Sequence, residues 1–76
     1  MNKKEFDIQV AERIKTVMKL KGKIYKQVAP HLGLSLSSFS NKITCSGACF
    51  SFFDICNLAK CLDVRIEELT GEKYFI

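Results

Sequence analysis

The chain has 76 residues, 47% of them hydrophobic, with one proline, four glycines, four cysteines and a formal net charge of +4. That composition excludes a disordered segment and allows one small domain, whose core is marginal unless helices pack efficiently. No apolar run approaches the ~18 residues of a membrane-spanning helix and no signal-peptide pattern opens the chain, so the expected setting is cytoplasmic, without a membrane and with the cysteines as thiols.

Charge is unevenly distributed. Residues 1–23 sum to +4, residues 24–50 carry Lys26 and Lys42 against no acid, and residues 51–76 sum to −2. An acid-free middle third in a basic chain suits a polyanionic partner, although a merely solvated surface can show the same asymmetry.

The first predicted helix covers roughly residues 3–21. Asn2 and Glu5 have capping-box spacing, Phe6, Val10, Ile14, Val17 and Met18 recur on one face, and Gly22 can end it. A second, short helix is expected over Tyr25–Leu32, with Val28, Ala29 and Leu32 inward. Ile24 offers it no side-chain cap, at a cost of about 1 kcal/mol. Pro30 removes a helical hydrogen bond and is expected to bend or shorten it. Gly33 can adopt the left-handed backbone of a sharp turn, and Leu34 would plug the core from there. Ser35 then caps a helix over 35–43 that buries Phe39 and Ile43 and leaves Leu36, Ser37, Ser38, Ser40, Asn41 and Lys42 outside. Ser51 and Asp54 repeat the box, Phe50 and Ile55 can staple it, and Phe52, Ile55, Ala59 and Leu62 form the expected buried stripe. A last short helix fits Arg65–Leu69, stopped by Gly71.

"VAPHLGLSLSSFSNKI", preceded by "KGKIYKQ" and followed by "LAKCLDVRIEEL", resembles the lambda-repressor-like helix-turn-helix family of bacterial and phage regulators, also called the xenobiotic-response-element type. The likeness spans roughly residues 10–70. It implies an all-α, five-helix bundle in a single domain and sequence-specific binding of double-stranded DNA, commonly as a homodimer on two half-sites. The chain departs from the family at Ile24 and Tyr25, where a threonine or serine and a glutamine are usual, and at Lys23, where an apolar residue is usual.

A helix that packs by one narrow apolar edge and is otherwise lined with small polar residues can enter the major groove without steric conflict. Ser37 and Asn41, four apart, would face the bases, and Asn41 can pair bidentately with adenine. Leu36 can touch a thymine methyl. Lys42 would sit toward the backbone and neutralise a phosphate. Free N–H groups at the start of the second helix, with Tyr25 and Lys26, would form another phosphate clamp, and the Thr44–Ser46 loop a third. Ser35, Ser38 and Ser40 complete the expected DNA-binding set. The helix lacks the Arg and Gln residues that make most strong base contacts, which points to modest specificity or to reading of DNA shape.

Cys45, Cys49, Cys56 and Cys61 lack the close pairs of structural zinc sites, so no metal is expected, and the 45–49 loop is left as a redox-sensitive candidate. His31 stands alone, no nucleophile triad or phosphate-cradling loop exists, and the expectation is a protein that is not an enzyme, with no cofactor and no small-molecule substrate. Tyr74, Phe75 and Ile76 either fold back on the core or form a homodimer seam. Two functions stand: a small repressor or Cro-like DNA-binding regulator, and a protein-interaction module, antitoxin-like or adaptor, on the same fold.

Overall fold

The computed structural model describes residues 2–71, and within them every regular element is helical. Tyr74, Phe75 and Ile76 lie outside the described residues. Helix α1 runs Lys3–Leu20, and Asn2 caps it by accepting the Glu5 N–H at 2.8 Å on its side-chain oxygen. The Asn2 amide in turn donates to the Glu5 carboxylate at 3.2 Å, so the return bond runs between side chains. At the far end Gly22, with φ +67°, lets Lys23 N–H reach back to the Met18 carbonyl at 2.9 Å and closes the helix. The buried face consists of Val10, Ala11, Ile14 and Met18, with Phe6 and Val17 packed against its edges.

The second helix is split. Helix α2 covers only Tyr25–Val28 and continues as a 3-10 turn over Ala29–Leu32. Pro30 has no N–H to give the Lys26 carbonyl, and its ring would collide with that carbonyl in α geometry, so the coil tightens at that point. The missing Ile24 cap is replaced in part by Gln27, whose side-chain oxygen accepts the Ile24 N–H at 3.0 Å. Gly33 then takes a left-handed conformation, φ +68° and ψ +25°, and Leu34 is half-buried against the core.

Helix α3 spans Leu36–Ile43 and starts from Ser35, whose hydroxyl accepts the Ser38 N–H at 3.1 Å. Helix α4 spans Phe52–Leu62 with the full reciprocal box: Ser51 Oγ accepts from Asp54 N–H at 3.1 Å, and Asp54 Oδ2 accepts from Ser51 N–H at 3.0 Å. Its buried stripe differs from the sequence expectation at one end. Phe52 is 68% exposed, while Leu58 is fully buried beside Ile55, Ala59 and Leu62. Phe52 is turned about 60° from Ile55 around the helix, which places it at the stripe's edge in the first turn. Helix α5 spans Ile66–Thr70 and ends at Gly71.

One apolar cluster draws on all of these elements. Phe39 is fully buried within it, with the Tyr25 ring 5.1 Å away and the Phe50 ring 5.5 Å away, centroid to centroid. Helix α1 packs on α3 and α5, α2 packs on α3, and α4 packs on the 3-10 turn and α5. This clamps one edge of α3 and leaves its opposite edge outward. Among the described residues, no helix is long and apolar enough to cross a membrane.

Candidate nucleic-acid interface

Helix α3 is anchored by Phe39 and Ile43, four residues apart, and a straight helix then directs positions 37, 38 and 41 away from the core. Ser37, Ser38 and Asn41 are exposed accordingly, as are Ser35 and Leu36 at the start of the helix. Ser40, on the flank, is half-buried. Ser35 and Ser38 engage each other, the Ser35 hydroxyl donating to Ser38 Oγ at 3.0 Å. The resulting surface is narrow, polar and small in side-chain volume, with one amide at its middle.

Beyond α3 the chain turns on Cys45, a residue the sequence offered only as a thiol. Cys45 adopts φ +55°, a conformation glycine usually supplies, so that Ser46 N–H donates to the Asn41 carbonyl at 2.8 Å and Cys45 N–H to the Lys42 carbonyl at 3.1 Å. Thr44 and Ser46 are both exposed and their hydroxyls lie 2.9 Å apart, while Thr44 Oγ1 also donates to the Ser40 carbonyl at 2.9 Å. The Thr44–Ser46 loop is thus locked onto the last turn of α3.

Lys42 is placed differently from the phosphate contact expected of it. Its ammonium lies 2.7 Å from Asp54 Oδ2, and its side chain is only 21% exposed. The pair joins α3 to α4 across the loop. Burial by itself would push the Asp54 carboxyl up, but the Lys42 ammonium and the two bonds with Ser51 outweigh it and hold the carboxyl below the usual carboxylate range. The same oxygen that caps α4 therefore also engages the base on α3. One signal was available in the sequence: no acid lies between Glu12 and Asp54, so the only carboxylates for Lys42 were distant ones.

On the neighbouring edge, Lys26 is exposed, but Tyr25 is half-buried with its ring against Phe39. The tyrosine ring thus fills volume at the edge of the core. The amide clamp expected at the second helix rests on an α segment of four residues.

No family model, curated protein or solved structure matches this chain.

The thiols divide. Cys45 and Cys49 line one open groove with Lys3 and Asp7, whereas Cys56 and Cys61 are on α4. Hydrogen bonding to the Asp7 carboxylate, then burial, pushes the Cys49 thiol up, which disfavours the reactive thiolate. Among the described residues, no three His, Cys, Asp or Glu side chains stand close enough to share a metal ion. His31 is exposed on the 3-10 turn.

Proposed function

We propose that this chain is a sequence-specific DNA-binding transcriptional regulator of the lambda-repressor-like helix-turn-helix type, a small repressor or Cro-like protein of the cytoplasm. Helix α3 enters the major groove of double-stranded DNA, and a homodimer sets one bundle on each half-site. The observation that carries the reading is the bare outer side of α3: Ser37, Ser38 and Asn41 are exposed opposite the buried Phe39 and Ile43, on a helix reached through the left-handed turn at Gly33. Asn41 reads a base edge, Leu36 meets a thymine methyl, and Ser35, Ser37, Ser38 and Ser40 permit close approach. Lys26, Tyr25 and the Thr44–Ser46 loop flank that helix as backbone contacts. Lys42 acts through Asp54, fixing the tilt of α3.

A second reading, a protein-interaction module on the same fold, is favoured by two adjacent exposed aromatics at the start of α4, Phe52 at 68% and Phe53 at 71%. Selection from random DNA with parallel sizing separates the two. A palindromic site bound by a dimer, with affinity falling steeply as salt rises, supports the regulator. Absence of enrichment at low salt, with self-association lost in Phe53→Ser, supports the module.

A further inference from the structure

A recess of about 540 Å3 lies between the C-terminal half of α1 and the first turns of α2 and α3. Its floor is apolar, built from Met18, Ile24, Tyr25 and Leu36. Ile24 and Leu36 remain 59% and 52% exposed, an uncovered pair of aliphatic side chains. Its rim is entirely basic: Lys15, Lys19, Lys23 and Lys26. Lys15 is held by Glu12 at 3.0 Å, but Lys19, Lys23 and Lys26 are exposed, with no carboxylate in ion-pair reach among the described residues.

Phosphates alone would satisfy the lysines but gain nothing from an apolar floor. A purely hydrophobic partner would cover the floor but leave three ammonium groups close together and uncompensated. One occupant satisfies both. The recess is open and only four side chains make its apolar floor, which suits a single large apolar group rather than the whole stripe of an amphipathic helix. We propose that it docks an acidic protein segment presenting one large apolar side chain flanked by carboxylates. The apolar group covers Ile24 and Leu36, and the carboxylates pair with Lys19, Lys23 and Lys26. Tyr25, Lys26 and Leu36 also belong to the proposed DNA surface, so docking excludes DNA. That exclusion rests on the DNA reading, whereas the docking itself does not.

The test uses a fluorescein-labelled synthetic peptide of about twelve residues, with one leucine between paired glutamates and Gly-Ser spacers. Anisotropy at low salt measures its binding, and amide chemical shifts of the protein locate it. Binding with shifts concentrated at Met18, Ile24, Tyr25 and Leu36 is expected. Replacing the peptide leucine by serine, or substituting Lys19→Glu with Lys23→Glu, should each weaken binding by about tenfold or more. Ile24→Ser should weaken it similarly; Lys19, Lys23 and Ile24 are all exposed, and a thermal melt of each variant checks that it folds. No binding, equal binding by the serine peptide, or shifts located elsewhere would overturn the proposal. Displacement of bound DNA by the peptide supports the shared surface, and simultaneous binding refutes it. A chain that binds peptide here but no DNA at all leaves the docking site standing and removes the regulator reading.

Discussion

Replacing Asp54 should cost more than replacing any exposed residue of α3, because its carboxylate serves two helices at once. Asp54→Ala deletes the return half of the α4 box, worth about 1 kcal/mol, and strands the Lys42 ammonium in a site that is largely closed. Truncating one partner of a fully buried pair costs about 3–5 kcal/mol, but the 21% exposure of Lys42 lets water relieve part of this. A total near 3 kcal/mol follows. For a domain of this size that lowers Tm by about 12–24 °C and approaches the lower end of total stability, roughly 4 kcal/mol at 0.05 kcal/mol per residue. Lys42→Met keeps the packed stem and leaves Asp54 bonded to Ser51, so it should cost less, about 1–2 kcal/mol. Denaturant titration of both single variants and the double variant gives the coupling energy directly. Two results would refute the reasoning. One is an Asp54→Ala Tm within a few degrees of wild type. The other is a Lys42→Met chain of unchanged stability whose DNA affinity loses about one unit of salt slope, as a direct phosphate contact would.

The same carboxylate sets an acid limit. Its folded value lies below the ordinary one, so the unfolded chain takes up the proton first as pH falls. The stabilisation is complete above about pH 4 and drains away as pH drops through the depressed folded value, and Asp54→Asn should flatten that limb of a stability-versus-pH curve. Asn41→Ala should leave Tm unchanged yet relax base preference at one operator position, losing about 1–3 kcal/mol of discrimination in competition against mismatched sites. An added Cβ at Gly33 meets no atom within 4 Å, so Gly33→Ala should cost only the left-handed backbone penalty, about 1–2 kcal/mol, with Gly33→Asn milder; equal stability of all three chains would remove the turn from the argument. Asp7→Ala should lower the Cys49 thiol toward its ordinary value and speed its alkylation near pH 8, read residue by residue by mass spectrometry.

Short-range chemistry determined much of this protein from its sequence alone. Asn2, Ser35 and Ser51 announce helix starts because a side-chain oxygen and the N–H it caps are only three residues apart. Gly22 and Gly33 announce their turns because backbone sterics are local, and Phe39 with Ile43 define the inner edge of α3 by spacing. The outward side of α3, with Ser37 and Asn41, is the complement of that edge and was legible with it. Tertiary structure decided what depends on residues far apart in the chain. Lys42 looked like a free cation until α4 brought Asp54 within 2.7 Å, twelve residues away. Tyr25 read as a polar contact until Phe39 gave its ring a partner. Phe52 fits a stripe drawn on an isolated helix, but whether anything covers that stripe's edge depends on where the neighbouring helices end. A pattern along one element records which face can be buried, and only the packing of the other elements determines how much of that face is covered and which charges meet across it.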